Sequence, residues 1–508
     1  MDDAPRPTDS QSADFDAELA GLTESLGDGY DSVSGRIRSS VVSGETVQGG
    51  TEAEVYIRVT ESVSELADAL RITQSLSVSY LKIASVDQKM EFVRNLKVTN
   101  QSVSVVVYAR KQLSSDTLRS PALTESPGSD VERFVRAHGD AYVAGISRGG
   151  EYYAVYTFQS ETREQQQSVT ASLKANGVYS GVTVGTSLET AIENTTKDTN
   201  TTWTFSQQVS GVSSPSLPDR KDLIAYALAF PDQNLDRPTN IGIETEGYER
   251  VPGFDLDFQR IIDNRRYFVG GGVEDGLTDG LVRVESLRKR VEGLRDIYRV
   301  YGYSGDAGLD AFGDLLEADF RAIREQFVAY ADDPLRSFAR PPLPSLDKGN
   351  PVLTYEKGVS AKWGRDGGDE FGYGSIEEAV LSQRRLAWVQ LRGGKYVDRL
   401  SLRYDDVHGE GKVQHHGRDG GRDAFALSLD RGEVVTEVSL RHGRVIDRLA
   451  LVTNEGARTE VGRDGGDPAE WKADGRVVLG FQGRAGRLLD ALQVVWIKLQ
   501  PAAFETNG

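Results

Sequence analysis

The hexapeptide HGRDGG at residues 416–421 occurs in nearly the same form at two other places, as WGRDGG at 363–368 and as VGRDGG at 461–466. A second element, Gly-x-x-x-Asp running into an alternating apolar strand, lies between these copies: GKYVD at 394–398, GRVID at 443–447 and GRLLD at 486–490. The two series interleave at a spacing of roughly 45–50 residues, which is typical of repeated structural units. They predict three similar units around a pseudo-threefold axis, with three small sheets packed as a prism.

Composition limits the class of protein. The chain has 508 residues, which at roughly 150 residues per domain predicts about three domains. Its formal net charge of −18 disfavours binding to nucleic acid, because both partners would be anionic. The chain has no cysteine and five histidines, so we expect no disulfide, no metal site and no cofactor.

The sequence also predicts where the protein is made. The stretch MDDAPRPTDSQSADFDAE at the start is acidic and polar, without the basic and apolar regions of a secretory signal. No run approaches the roughly 18 consecutive apolar residues of a membrane-spanning helix. We expect a soluble protein, made in the cytoplasm and released by another route to act at a target membrane.

Changes in sequence character divide the chain into segments. Residues 1–27 are polar and acidic and predict a disordered tail. From residue 28 to about 250, Ser, Thr and Val alternate with a period of two, whereas residues 256–335 carry apolar residues at helical spacing. A proline-rich stretch predicts a linker at 339–351, and the short runs between glycine turns in 352–500 predict an all-β domain.

Three stretches of this last domain resemble the jacalin-related lectins: WGRDGGDEF, HHGRDGGRDAFALSLDRGEVVTEVSLRHGRVIDRLALVTNEG and LGFQGRAGRLLDALQVVWIKL. The threefold form is similar to algal mannose-binding β-prism lectins. The resemblance covers nearly all of 352–500 and implies that each Gly-x-x-x-Asp loop binds a monosaccharide. A carboxylate can accept hydrogen bonds from two neighbouring hydroxyls, and glycine lets the main chain approach the ligand.

The resemblance assigns carbohydrate binding to the residues at matching positions: Gly486, Arg487, Leu488, Asp490, Gly443, Asp447, Gly394, Tyr396 and Asp398. Glycine loops are expected to wall the sites: Gly367, Gly368, Gly420, Gly421, Gly465 and Gly466. The family often has an aromatic residue inside the loop, and here only Tyr396 provides one. The alternative, that these motifs are turns and solvated loops without a ligand, stays open at each position.

A second resemblance concerns HGDAYVAGISRGG at 138–150. It resembles the signature of the membrane attack complex/perforin (MACPF) superfamily, an aromatic-Gly-Thr/Ser-His-aromatic run followed after six residues by Gly-Gly. Four residues match the signature: Gly139, Tyr142, Gly149 and Gly150. Three depart from it: His138, Asp140 and Ala141.

The MACPF resemblance implies a pore-forming domain over 28–338, with a helical C-terminal part at 256–335. In such proteins a bent antiparallel sheet carries flanking helical clusters, which unravel into two β-hairpins per protomer and join a large transmembrane β-barrel. Gly149–Gly150 would be the hinge of the sheet, since glycine tolerates backbone angles that other residues avoid. The simpler alternative is an ordinary turn.

Side-chain alternation predicts which segments enter the membrane, since a barrel strand alternates between lipid and lumen over about 9–11 residues. The candidates lie in four segments: Leu70, Ile72, Leu76, Val78, Tyr80, Val103, Val105, Val107, Val169, Ala171, Leu173, Trp203 and Phe205. The alternative is that all four are half-buried strands. Residues 187–196 also suit a short helix.

Together these patterns predict an α+β chain with a MACPF domain followed by a β-prism, functioning as a glycan-targeted pore-forming protein. Its partners would be cell-surface glycans, the bilayer of a target cell and further copies of itself in a ring. The lack of cysteine-rich accessory modules favours a bacterial origin. Two alternatives are a non-lytic adhesin or scaffold with an inactive MACPF fold, and an enzyme with a lectin appendage. We expect no enzymatic activity, because the sequence has no nucleophile elbow and no metal-ligand spacing.

Overall fold

The computed structural model describes residues 24–72, 76–81, 88–99, 101–178, 187–213, 215–270 and 276–505. They form a front module (residues 24–349) of mixed helices and strands, and a C-terminal module (residues 350–505) made mainly of strands. Of the predicted tail over residues 1–27, residues 1–23 lie outside the described part of the chain. The last residues of the tail already belong to the front module, because the Gly27 N–H donates to the Val143 carbonyl at 2.9 Å.

Strands of the front module form one antiparallel sheet: β1 (Gly29–Asp31), β2 (Arg36–Arg38), β3 (Val42–Gly49), β4 (Glu52–Thr60), β5 (Val103–Leu123), β6 (Ala141–Gln159), β7 (Thr202–Val209) and β8 (Thr239–Gly247). The long strands β5 and β6 pair at its centre. Along its length β5 pairs first with β4 and then with β3, and β6 pairs first with β8 and then with β7. One half of the sheet therefore has the strand order β4-β5-β6-β7.

The signature glycine pair lies where both central strands change partners. Gly149 is the last β6 residue paired with β8, and it faces Gln112 of β5 next to a bulge. A Cβ atom on Gly149 would lie 2.0 Å from the Lys111 carbonyl oxygen, so no larger residue fits there. Bulges bend strands and increase their twist. The pair is thus at an irregular, closely packed point of the central ladder, within a strand rather than in a turn.

Helices of the front module are α1 (Val63–Ala69), α2 (Leu76–Leu81), α3 (Gln88–Asn95), α4 (Val131–His138), α5 (Arg163–Ala175), α6 (Leu188–Thr199), α7 (Leu223–Ala229), α8 (Gln259–Val269), α9 (Leu277–Val300) and α10 (Ala307–Asp332). We call residues 61–102, which join β4 to β5, insert 1, and residues 160–201, which join β6 to β7, insert 2. Helices α1–α3 lie in insert 1, and α5 and α6 lie in insert 2. No helix among the described residues is long and apolar enough to span a membrane.

The two inserts are packed into cores on opposite faces of the central sheet. Val105 and Val107 of β5 share a core with Val169 of α5, while Val106 and Tyr108 share another with Leu66 of α1. Both faces of β5 are therefore covered in its first part, where residues 103–109 are all buried.

This packing divides the four alternating segments, which the sequence predicts to enter the membrane, into two kinds. The candidates at 70–80 and 169–173 lie in or beside helices of the inserts, with residues 73–75 outside the described part. Val103, Val105, Val107, Trp203 and Phe205 instead already lie in sheet strands. The last five are therefore not part of the inserts. The period-two pattern did not predict this difference, because it reports apolar residues on one face of a strand only. In β5 the opposite face is buried as well.

The proline-rich segment is not a free spacer. The Ser345 N–H donates to Asp319 of α10 at 2.8 Å, and Leu343 and Leu346 pack against the apolar core. The same core continues from α9 and α10 into the C-terminal module, where it includes Leu479 and Ile497. The two modules share one core, so the predicted linker at 339–351 is a packed connection.

The C-terminal module contains three antiparallel sheets and the helix α11 (Ile376–Leu381). The first sheet comprises β9 (Asn350–Val359), β10 (Trp363–Gly364), β11 (Asp369–Phe371), β22 (Val477–Ala485) and β23 (Leu489–Glu505). The second comprises β12 (Arg385–Gly393), β13 (Val397–Asp406), β14 (Gly409–Glu410), β15 (Gln414–Gly417), β16 (Arg422–Asp423) and β17 (Leu427–Ser428). The third comprises β18 (Val435–His442), β19 (Ile446–Thr453), β20 (Arg458–Gly462) and β21 (Asp467–Lys472). Their inner leucines, such as Leu400, Leu449 and Leu492, form one core, as the triplicated sequence predicts.

A buried carboxylate lies beside the signature residue Gly139. Asp140 is fully buried, accepts the Ser32 N–H at 2.6 Å and has its other oxygen 3.6 Å from the Arg265 guanidinium. Burial raises the pKa of Asp140 to about 6, with the Asp31 carboxylate adding to this effect and Arg265 opposing it. The folded chain therefore holds this proton more tightly than the unfolded chain does.

We predict that Asp140 makes folding more favourable at mildly acidic pH. Because its folded pKa of about 6 exceeds its ordinary value of 3.8, this contribution is fully present below 3.8 and is lost as the pH rises through 6. Asp140→Asn should flatten the pH dependence of the free energy of unfolding by on the order of 2 kcal/mol. Thermal unfolding between about pH 4.5 and about pH 7.5 measures this, and identical profiles for the two proteins contradict it.

Candidate functional site

Each glycine loop of the C-terminal module packs against one Gly-x-x-x-Asp loop, which defines three sites. Site 1 joins Gly367–Gly368 to Gly486–Asp490, site 2 joins Gly420–Gly421 to Gly394–Asp398, and site 3 joins Gly465–Gly466 to Gly443–Asp447. A Cβ atom on the first glycine of each pair would lie 2.7, 2.5 and 2.8 Å from Oδ1 of the facing aspartate at sites 1, 2 and 3. The structure thus brings all the sequence-predicted loop residues together in pairs.

The first glycine of each hexapeptide gives a structural reason why the motif occurs three times in the sequence. Gly364, Gly417 and Gly462 have φ angles of +90°, +110° and +97°, which favour glycine. In each case a Cβ atom would lie 2.1 Å from the main-chain oxygen of the site's aspartate. The N–H of the following arginine donates to that same oxygen at 3.1 to 3.2 Å. The hexapeptide therefore fixes the main chain that carries the aspartate.

Three arginines in equivalent positions, which the sequence motifs did not predict as site residues, brace the glycine loops. Arg484 donates to the Gly367 and Gly368 carbonyls at 3.2 and 2.8 Å, and Arg441 donates to Gly465 and Gly466 at 3.0 Å each. At site 2, Arg392 donates to the Gly420 carbonyl at 2.9 Å and pairs with Asp423. Each arginine stands two residues before the glycine, so the signal was available as Arg-x-Gly-x-x-x-Asp.

The aspartates within the hexapeptides have a different role from those of the sites. Asp366 pairs with Lys362, Asp419 with Arg399, and Asp464 with Arg448. Arg399 and Arg448 directly follow the aspartates of sites 2 and 3, whereas Ala491 occupies that position at site 1. At sites 2 and 3 these ion pairs hold the hexapeptide beside the strand that carries the arginine, whereas the Asp366–Lys362 pair is local to its own chain segment. Each pair neutralises the carboxylate of its hexapeptide.

Polar groups for a ligand remain at the loop of site 1. The N–H of Gly486 donates within its own loop, to the Leu488 carbonyl at 3.0 Å, and Gly394 and Gly443 do the same at sites 2 and 3. The N–H groups of Arg487 and Leu488 have no acceptor within the part of the chain that the structure describes. Oδ2 of Asp490 is buried and likewise lacks a hydrogen-bond partner among the described residues. A ligand with adjacent hydroxyls can satisfy both the acceptor and the donors.

The three sites differ in the side chains inside the Gly-x-x-x-Asp loop. Site 2 has the half-buried Tyr396, whose ring lies 5.1 Å from the Lys395 ammonium. Site 3 has Val445 and site 1 has Leu488 at the equivalent position. A flat aromatic face is therefore available inside the loop of site 2 alone.

Three sheets around one core, each with a carboxylate held against a glycine loop, define the C-terminal module as a carbohydrate-binding lectin fold. Residues 360–495 match the family model of the jacalin-like lectin domain, and this module is a jacalin-like lectin domain. Horcolin from Hordeum vulgare subsp. vulgare is 28% identical over 139 residues, which are 26% of this chain and 90% of horcolin. The family-model match includes no residue of the front module.

Solved structures that resemble the chain are also lectins. A Malaysian banana lectin has 24% identity and a TM-score of 0.25, and the match covers 29% of this chain and 99% of that one. A mannose-binding jacalin-related lectin from Ananas comosus has 19% identity and a TM-score of 0.24, covering 28% of this chain and 96% of that one. Artocarpin, in a complex with mannotriose, has 21% identity and a TM-score of 0.25, covering 28% and 97%.

We predict that Gly462→Ala removes site 3 without unfolding the module. The added methyl group would press on the Asp447 carbonyl at a positive φ, so the loop must move and the unfolding free energy should fall by more than about 1 kcal/mol. In calorimetric titration with a sugar that the parent binds, the number of binding sites per chain should fall by one. Gly372→Ala is the matched control, since its Cβ meets no atom within 4 Å. Unchanged stoichiometry in Gly462→Ala would refute the assignment.

Proposed function

We propose that the protein is a glycan-targeted pore-forming protein of MACPF type. The C-terminal module binds a glycan on a target membrane, front modules assemble side by side into a ring, and inserts 1 and 2 convert into β-hairpins of one transmembrane barrel. The observation that carries this proposal is the placement of two inserts of 42 residues each at the same end of four neighbouring strands.

The strand register makes such a conversion simple. Thr60 at the end of β4 pairs with Ser104, and Gln159 at the end of β6 pairs with Thr202. Between them, Val103 at the start of β5 pairs with Phe158. Both inserts therefore leave the sheet at one level, and extending them would lengthen β4–β5 and β6–β7 as hairpins without changing the strand order.

Insert length supports the same proposal. A tilted barrel strand crosses the hydrocarbon core in about 9–11 residues, so two crossings need about 20. Each insert of 42 residues supplies these and leaves residues to span the distance from the sheet to the bilayer. Equal length also matters, because neighbouring hairpins of one barrel must reach the same depth.

The helices of the inserts are short enough to be exchanged for strands. They range from the 6 residues of α2 to the 13 of α5, and isolated helices of this length are marginal in water. Their stability therefore comes from packing on the sheet. Polar contacts contribute on insert 2, where the Gln166 side chain donates to the Ser102 carbonyl at 3.2 Å and Thr170 donates to Glu61 at 2.8 Å.

A buried ion pair holds insert 1 against the sheet next to the glycine pair. Lys89 of α3 lies 2.6 Å from Glu151 of β6, and both side chains are almost fully buried. The Tyr108 hydroxyl donates to the same carboxylate. Removing one member of such a pair leaves the other buried and uncompensated, which strongly destabilises the packed state. Departure of insert 1 would therefore separate the pair and leave Glu151, next to Gly150, without its cation.

Assembly needs free strand edges, and β4 and β7 flank the half of the sheet that carries the inserts. Unpaired edges are sites where another chain can add. A loop of the C-terminal module covers the start of β7: the His408 ring lies 4.9 Å from the Trp203 ring, and its Nε2 is 3.4 Å from the Thr202 hydroxyl. The lectin module therefore contacts the edge on which a neighbour would dock.

Three sugar sites per chain suit a function that depends on avidity. A monosaccharide site around millimolar contributes about −4 kcal/mol, which is too weak for stable attachment by itself. Several sites on several chains bound to one surface act at a high effective concentration. Weak single sites are therefore sufficient for a ring on a glycan-bearing membrane.

We predict that a disulfide within insert 2 blocks permeabilisation. Ser172 of α5 and Thr195 of α6 have hydroxyl oxygens 3.4 Å apart, so cysteines there can bond across the two helices. In a symmetric hairpin of residues 160–201, Ser172 would face Glu189 instead, and the bond would prevent that register. Ser172→Cys/Thr195→Cys should abolish dye release from glycan-bearing vesicles, and a reductant should restore it.

The matched control is Ser104→Cys/Thr157→Cys, whose hydroxyl oxygens are also 3.4 Å apart. These two residues are register partners in β5 and β6, which stay neighbours in both states, so this oxidised variant should release dye like the parent. The parent chain has no cysteine, so each variant forms a single defined bond. Release by the oxidised insert 2 variant at the parent rate refutes the proposal. Sugar binding by the parent without any release favours the non-lytic adhesin.

A further inference from the structure

Exposed cations flank all three sugar sites in a chain whose net charge is −18. Each site has one basic residue after the glycine of Gly-x-x-x-Asp and one in the facing hexapeptide. The pairs are Arg487 and Arg365 at site 1, Lys395 and Arg418 at site 2, and Arg444 and Arg463 at site 3. The side chains of all six make no ion pair within the part of the chain that the structure describes.

The cations of site 2 lack an acidic partner because other residues neutralise the nearby carboxylates. At site 2, Asp419 pairs with Arg399, and Asp423 pairs with Arg392. Arg418 directly precedes Asp419 in the hexapeptide, and its N–H lies 3.1 Å from the Asp398 carbonyl oxygen. The main chain of Arg418 therefore lies at the wall of the site, and its guanidinium has no acidic partner among the described residues.

Site 2 carries more positive charge than the other two. The residue after the glycine pair is Arg422 at site 2, but it is Asp369 at site 1 and Asp467 at site 3. Arg422 is exposed and makes no ion pair with another described residue. The charges without an ion-pair partner at site 2 are therefore three cations against the single carboxylate of Asp398. At site 1 two cations face two carboxylates, and at site 3 the unpaired Arg441 makes three cations against two.

We propose that site 2 binds a monosaccharide that bears an acid group, either a carboxylate or a sulfate ester. The sugar places neighbouring hydroxyls on Asp398 and its acid group on the opposite side, towards Arg418 and Arg422. The acid group must point away from Asp398, because two like charges in contact repel each other. Arginine suits this role, since its planar fork donates two parallel hydrogen bonds to a carboxylate or sulfate. The inference rests on the sugar binding of the proposed function and adds the chemical class of sugar.

The test is calorimetric titration of the full chain with three probes: methyl galactoside, methyl galacturonide and methyl galactoside 6-sulfate, with the matching glucose set in parallel. At low salt the parent should bind at least one acidic sugar about tenfold more tightly than its neutral counterpart, and added salt should reduce this preference. The Arg418→Gln/Arg422→Gln variant should lose most of it. Preference for the uronide or for the sulfate identifies which acid group the site takes.

Arg321→Gln/Arg324→Gln is the matched control, because it removes the same charge from exposed positions of α10 in the front module. It should keep the preference of the parent. Neutral sugars that bind as tightly as acidic ones, with binding lost in Asp398→Asn, would overturn this inference and leave the lectin function intact. A preference that persists in Arg418→Gln/Arg422→Gln would overturn it too. Failure of every probe to bind at any site would count against the proposed function itself.

Discussion

The long antiparallel ladder between β5 and β6 is the constraint on which the front module depends. These strands span residues 103–123 and 141–159, and each changes its outer partner near the glycine pair. Above that point both faces are covered by helices of the inserts, and below it the sheet continues into β3 and β8. The ladder thus holds two inserts at one end while it connects them to a fixed body at the other.

The C-terminal module depends on a different constraint, the contact of a glycine with a main-chain carbonyl. A Cβ atom would lie 2.1 Å from that oxygen in all three units, so each unit tolerates only glycine there. This contact places a carboxylate beside donors of the main chain three times. The shared core with α9 and α10 then connects these sites rigidly to the front module.

The triplicated motifs made the three-sheet architecture predictable, but the sequence could not tell which loops face each other. Gly367 lies far from Asp490 in sequence, and β10 and β23 bring the two ends of the module together by strand pairing. Arg392, Arg441 and Arg484 recur at the same position of each repeat. Their role could not be predicted, because the carbonyl groups that they bind lie on loops distant in sequence. Local spacing thus predicts repeated units, whereas long-range pairing decides the site.

The front module shows the limit of period-two patterns. Val103, Val105 and Val107 alternate like a barrel strand, yet they lie in the sheet core, because the inserts and helix α9 supply an apolar environment on both faces. The proline content likewise predicted a linker but did not show that Ser345 within it is fully buried. Sequence composition and periodicity predict the character of one element at a time. They do not predict which other elements pack against it.

The central claim is that an insert can exist either as packed helices or as a β-hairpin in the membrane. A scan of single cysteines through residues 163–175 tests this claim most directly. Because the chain lacks cysteine, each position can carry one environment-sensitive fluorophore. On glycan-bearing vesicles we expect emission that alternates residue by residue, with labels at 169, 171 and 173 in an apolar environment and their neighbours in water. Emission that keeps the three-to-four residue period of helix α5 after membrane binding would contradict the account.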